Sequence, residues 1–205
     1  MTVDVQAEAG LLPPGVDLSP SKRRLYEAAL ELFGQTGFHA VSIRDIANAL
    51  GQQPSAIYFH VASKQELLFD LACIGYRSHQ DALRNALLDA GADPVDQLRE
   101  VVLAHLRVHL DYPSMARLTN RELRALTPDQ LEFVLAIRNQ SEQMFIDVLE
   151  RGVRLGVFHT DDPFLDGKVI GAMGIRLPEW WSADSPRSRE QILERYSAYA
   201  LKLVS

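Results

Sequence analysis

The sequence predicts an all-α chain of roughly nine helices, and three observations carry that prediction. Helix-start signals recur along its length: Ser, Thr or Asp followed by Pro, or Ser followed three residues later by Glu or Gln. Between these signals apolar residues return every three to four positions, the period of one helix face. No segment alternates β-branched and polar residues as a half-buried strand does.

Taken in order, residues 1–18 contain Pro13, Pro14 and Gly15 without periodicity and are expected to form a flexible arm. Ser19-Pro20 opens the first helix, with Leu25, Ala28, Ala29, Leu32 and Phe33 on one face, and Gly37 closes it. Ser42 caps a short second helix, Ile43 to Leu50. Gly51 breaks that helix, and Pro54 stands in the first turn of a third. Ser63-Lys64-Gln65-Glu66 is a capping box at the head of a long fourth helix. Asp93-Pro94, Thr127-Pro128 and Asp162-Pro163 start further helices, and Ser188 to Gln191 is another capping box. The expected division is an arm (1–18), a helix-turn-helix head (19–66) and a helical bundle (67–205).

At 205 residues, 47% hydrophobic and 23% charged, the chain can bury a sizeable core. Its apolar runs fall well short of the ~18 residues that span a membrane. The first twenty residues hold Asp4, Glu8 and Asp17 but no Lys or Arg, unlike a secretory signal. A single cysteine, Cys73, supports no disulfide framework and fits a reducing cytoplasm. The net charge is −6, but Ser19 to Glu66 carries five basic and four acidic side chains, leaving −7 elsewhere. That asymmetry suits a nucleic-acid-binding head on an acidic body.

Residues 42–60 have helix-turn-helix spacing. Ile43, Ile46, Ala47 and Leu50 face inward, the small Ala47 allows a close helix crossing, and Ala56 with Ile57 is expected to anchor the second helix. Gln52, Gln53, Ser55, Tyr58 and His60 remain outside. Glutamine amides pair with adenine, and hydroxyls reach phosphates or base edges. Arg44 is placed to read guanine, and Lys64, at a helix start, to hold a phosphate. Tyr58 has a second reading, its ring packed on the fourth helix.

The stretch Gly37-Phe38-His39-Ala40-Val41-Ser42-Ile43-Arg44-Asp45-Ile46-Ala47, then Leu50-Gly51, then Ile57-Tyr58-Phe59-His60-Val61-Ala62-Ser63-Lys64, resembles the TetR-family DNA-binding signature. The resemblance implies a DNA-binding regulator with a C-terminal ligand-binding and dimerisation domain. It places Arg44, Ala56, Tyr58, His60 and Lys64 against DNA, on the face that also carries Pro54. One departure stands out: Gln53 occupies the cap position of the recognition helix, where the family commonly has Ser or Thr.

In the bundle, a helical wheel over Val95 to Tyr112 puts Glu100, Arg107 and Asp111 on one side. His105 and His109 fall on the apolar side with Val101, Val102 and Tyr112. Two histidines one turn apart suit a metal, a hydrogen-bonded core or a pocket wall. No third ligand is evident nearby, so no metal or cofactor is expected. Arg138 lies in the apolar stripe Leu131, Val134, Phe145 and Leu149. A buried guanidinium needs a partner, either Glu142 or Glu122, or else it anchors an acidic or carbonyl-bearing ligand. Phe145, Met173 and Trp180 are further candidate ligand residues. Gly167, Gly171 and Gly174 form a small-residue stripe. With Trp180, Trp181, Tyr196, Tyr199, Leu201 and Leu203 they mark the last two helices as a homodimer surface, although the tryptophans equally suit a pocket lid.

The segments Leu118 to Leu126, Arg138, Gly152 to Phe158 and Trp180-Trp181 resemble TetR regulators of lipid, sterol or acid catabolism that respond to acyl-CoA thioesters. That resemblance implies an acyl-CoA inducer, and it brings Asn120 and Arg121 into the candidate ligand set. No phosphate-cradling glycine loop or nucleophile elbow supports an enzyme. The expected function is therefore a cytoplasmic repressor released from a pseudo-palindromic double-stranded operator by a small molecule. The alternative is a helical protein-interaction module without specific DNA binding.

Overall fold

The computed structural model describes residues 11–205. Among them the chain forms ten α-helices and no strand: α1 (Pro20–Thr36), α2 (Ile43–Ala49), α3 (Pro54–Tyr58), α4 (Lys64–Asp89), α5 (Pro94–Asp111), α6 (Pro113–Arg121), α7 (Pro128–Arg154), α8 (Pro163–Met173), α9 (Leu177–Trp180) and α10 (Arg189–Leu203). Setting aside the single-turn α9 leaves the expected count. A 3-10 turn, Leu123–Ala125, precedes α7.

The start signals work as capping chemistry requires. Side chains of Ser19, Ser42, Asp93, Asp162 and Ser188 each accept a hydrogen bond from a backbone N–H of the helix they open. Reciprocal boxes form at Ser42–Asp45 and Ser188–Gln191. At α4 the box is displaced by one residue. The Glu66 amide donates to Ser63 Oγ at 3.0 Å, but the Glu66 carboxylate accepts from the Ala62 amide at 2.7 Å.

Part of the expected flexible arm, residues 1–10, lies outside the described residues. Residues 11–18 carry no helix. Leu12 and Pro13 are buried, and Arg23 Nη2 donates to the Val16 carbonyl at 3.0 Å.

Two compact units emerge. One comprises the described residues up to Gly75 with Ser114–Leu131; the other comprises Tyr76–Pro113 with Glu132–Ser205. The division thus falls inside α4, not between residues 66 and 67. In the first unit Leu25, Ala29, Leu30, Ile46, Ala47, Ile57, Leu67 and Leu71 are fully buried. The Tyr26 hydroxyl donates to Asp70 on α4. The α6 helix joins this unit through Gly75, where an added Cβ would stand 2.9 Å from Thr119 Cγ2. The Gln65 amide donates to the Ala125 carbonyl.

The second unit is built on α5, with α10 packed along it. Leu98, Val101, Val102, Leu106, Phe145, Leu149, Ile170 and Leu177 form its core. Gly156, at φ 68°, turns the chain after α7 so that Phe158 folds back onto Gly152. A Cβ at Gly152 would fall 2.0 Å from the Phe158 ring.

Candidate nucleic-acid interface

The α2–α3 turn is set by backbone chemistry. Gly51 takes φ 64°, and the Gln52 amide donates to the Ala47 carbonyl at 2.9 Å. Ile46 and Ala47 of α2 are buried, while Arg44 in its first turn is exposed. Five residues long, α3 buries only Ile57. The expectation that Ala56 helps anchor α3 is corrected: Ala56 is exposed, because a helix this short turns a single position inward. Gln53, at φ −80° and ψ 147°, has cap geometry, but its side chain makes no cap bond.

Gln53, Ser55, Ala56 and Tyr58 are exposed, and Gln52, Pro54, His60 and Lys64 are half-buried. Tyr58 is 55% exposed. It borders a surface groove with Ser42, Arg44, Pro54 and Lys64. Phe59, which the sequence reading did not single out, is 87% exposed, with its ring edge-on to His60. The signal was available: if α3 buries only Ile57, the aromatics that follow it must face solvent or a partner.

Lys64 is more engaged than expected. Its Nζ donates to the carbonyls of Phe38 at 2.7 Å and Val41 at 2.6 Å, and it stands 4.1 Å from the Phe38 ring centroid. Burial lowers its pKa, opposed by the carboxylates of Asp45 and Glu122. Two of its three protons therefore fix the α1–α2 connection, leaving one for a phosphate.

In the second unit His105 and His109 are buried, as the wheel predicts. The expectation of no third ligand nearby is overturned. His79 of α4 places its Nε2 2.8 Å from His105 Nδ1, and one nitrogen from each of the three rings lies within 4.8 Å of the others. His109 Nδ1 donates to the His105 carbonyl at 2.8 Å. Burial, with His109 beside it, pushes His79 down to about 3. Burial, reinforced by His109 and His79, holds His105 well below the usual imidazole range against an opposing Gly171 backbone contact. Burial also lowers His109, opposed by its bond to the His105 carbonyl. All three are neutral imidazoles at neutral pH. Phe145 lies edge-on to His105, with ring centroids 5.6 Å apart.

Arg138 is not buried. The inward seam of α7 runs through Val134, Ile137, Ser141, Phe145, Val148 and Leu149, so Ile137 and Ser141 take the place assigned to Arg138. Its side chain is 45% exposed and pairs with Glu142 at 3.0 Å, and Glu142 also binds Lys168 of α8. Asn120 and Arg121 are exposed and belong to the first unit, whereas the other candidate ligand residues belong to the second. Tyr112 borders an open groove with Asp89, Asp96, Glu100, Arg107 and Asp111, whose acids disfavour a polyphosphate ligand. Met173 is half-buried and Trp180 exposed.

The glycine stripe is largely spent within the chain. A Cβ at Gly167 would stand 2.7 Å from Ile146, and one at Gly174 would stand 2.5 Å from His105 Nε2; only Gly171 is open. Phe164, Leu165 and Val169 on α8 and Tyr199 and Leu203 on α10 are the large apolar side chains those helices expose. No described helix is long and apolar enough to cross a membrane.

Residues 25–71 match the family model of bacterial regulatory proteins, tetR family, and residues 91–204 match the tetracyclin repressor-like C-terminal domain. The HTH-type transcriptional repressor KstR2 of Mycobacterium tuberculosis is 26% identical over 179 residues, 86% of this chain and 89% of its own. A tetR-family regulatory protein from Rhodococcus RHA1 aligns with TM-score 0.86 at 29% identity, over 92% of this chain and 98% of its own. AibR, solved with isovaleryl coenzyme A and operator DNA, aligns with TM-score 0.81 at 20% identity, over 88% of this chain and 97% of its own. At that identity the likeness is one of fold.

Proposed function

Because the chain belongs to the TetR family of bacterial regulatory proteins, we propose that it is a dimeric, ligand-responsive repressor that binds a pseudo-palindromic operator through α2, α3 and the start of α4. One observation carries this reading: α3 buries only Ile57 and turns its polar and aromatic side chains outward. Arg44 reads guanine, Gln52 and Gln53 read adenine, and Ser55, Tyr58 and His60 reach phosphates or base edges. Pro54 and Ala56 are short enough for the duplex backbone to approach, and the remaining Lys64 proton meets a phosphate.

Two heads in a symmetric dimer read half-sites about 34–36 Å apart, and a ligand releases the operator by favouring another spacing. The inducer we infer is an acyl-CoA thioester. AibR, which shares the fold, was solved with isovaleryl coenzyme A. His105, His109, Phe145 and Met173 of the second unit are the candidate contacts for its acyl part.

The test is fluorescence anisotropy with purified protein and an inverted repeat from DNA flanking the gene, against a scrambled duplex of equal length. The expected result is preference for the repeat, affinity falling steeply with salt, and release by thioesters. Equal affinity for both duplexes would refute specific DNA binding and favour the protein-interaction module. Specific binding without release by any thioester would refute the acyl-CoA assignment alone.

A further inference from the structure

The three histidines of the second unit lie on two different helices, His79 on α4 and His105 and His109 on α5, yet they meet in one place. An apolar core has no need of three imidazoles there, and the arrangement leaves a polar cost: His105 Nε2 is buried without a formed hydrogen bond. We propose that His79, His105 and His109 bind a divalent transition-metal ion of borderline softness, of which Zn2+ is the test case. This goes beyond the repressor reading and does not depend on it; where it holds, His105 and His109 are metal ligands and the acyl contacts fall to Phe145 and Met173.

The donor chemistry fits such an ion. Neutral imidazole suits zinc, copper and nickel, and hard cations prefer oxygen. Tetrahedral nitrogens about 2.0–2.1 Å from zinc stand about 3.4 Å apart. His79 Nε2 and His105 Nδ1, at 2.8 Å, need only open slightly, and one nitrogen from each of the three rings lies within 4.8 Å of the other two. His109 Nδ1 donates to the His105 carbonyl, which leaves its Nε2 lone pair for the ion. The proton shared between His79 and His105 must leave that contact when both ligate. The vacant His105 Nε2 can receive it, and the Gly171 backbone faces that nitrogen. The resulting N–H toward a backbone carbonyl is the usual outer contact of a metal-bound histidine. Three protein ligands leave a fourth position open.

Tag-free, full-length protein is stripped with chelator, dialysed against Zn2+, freed of loose ion on a chelating resin and assayed for metal by mass spectrometry. The expected content is one ion per chain, and Co2+ in its place should give the strong visible bands of a tetrahedral nitrogen-ligated centre. Loss of an outer contact alone weakens metal affinity about 10–100-fold, so His79→Gln should weaken it at least about tenfold with far-UV dichroism unchanged. Wild-type protein that retains no stoichiometric metal, or a folded His79→Gln that binds like wild type, overturns the proposal. If His79→Gln does not fold, nitrogen NMR of wild-type protein decides. Of its six histidines, three should shift on Zn2+ titration, and an unchanged spectrum overturns the site.

Discussion

The Lys64 ammonium holds two carbonyls of the α1–α2 connection and stands over the Phe38 ring, so alanine there removes more than a charge facing DNA. Hydrogen bonds from charged groups contribute more than neutral ones, and Lys64→Ala should cost about 1–3 kcal/mol of stability besides weakening binding to every duplex. Arg44→Ala, on an exposed first turn, should stay within about 0.5 kcal/mol of wild type and relax base preference instead. Denaturant unfolding run beside anisotropy separates the two variants. An unchanged unfolding midpoint for Lys64→Ala would mean that its carbonyl bonds contribute nothing. Most outward-facing residues of the head were legible in the sequence because local spacing fixes which side of a short helix they occupy, but exposed Ala56 and Phe59 were not. The second role of Lys64 was not, since its partners stand 23 and 26 residues away. The meeting of His79 with His105 was hidden for the same reason: periodicity describes one helix at a time.

Helix starts were readable almost residue by residue, because a cap is a contact among near neighbours. The missing cap of α3 gives a test. Gln53 already has extended geometry, so Gln53→Ser should supply the absent bond and raise stability by about 0.5–1 kcal/mol, measured as a higher melting temperature. No gain would mean that α3 takes its form from the packing of Ile57 alone. Helix phase was harder to read. In α7 an apolar stripe drawn through Leu131 includes Arg138, whereas the buried seam follows Ile137 and Ser141 and leaves Arg138 on the rim beside Glu142. That rim links α7 to α8. Burial alone would raise the pKa of Glu142, but hydrogen bonds from Lys168 and Arg138 outweigh it and hold the carboxyl below the usual range. A depressed folded-state pKa contributes stability that is complete above the unfolded-chain value and fades as pH falls through the folded one. Wild type should therefore melt above Glu142→Gln at neutral pH, and the gap should close as pH falls through the depressed Glu142 pKa. A gap independent of pH would show that the carboxylate charge is not what joins the two helices.

At the scale of the molecule, local patterns supplied the all-helical class and the order of elements but not the membership of the units. The α6 helix is sequence-adjacent to the bundle, yet it packs with the head because Gly75 lets Thr119 and Met115 approach α4 closely. No window of consecutive residues carries that information. The dimer surface is the other property of the whole. With Gly167 and Gly174 occupied inside the chain, the apolar side chains that α8 and α10 leave outside, led by Phe164, Leu165 and Tyr199, are the surface we propose for association. Buried carboxylates without partners oppose association strongly. A Phe164→Glu, Tyr199→Glu double variant should therefore sediment as a monomer while keeping its helical dichroism, since both positions are more than half exposed. Linking two heads makes the second half-site contact intramolecular, which typically contributes about 10²–10⁴ in affinity. The monomer should lose at least about 100-fold on the full inverted repeat and little on an isolated half-site. A variant that remains dimeric would move the interface off these helices, and a monomer that keeps full operator affinity would refute two-headed reading itself.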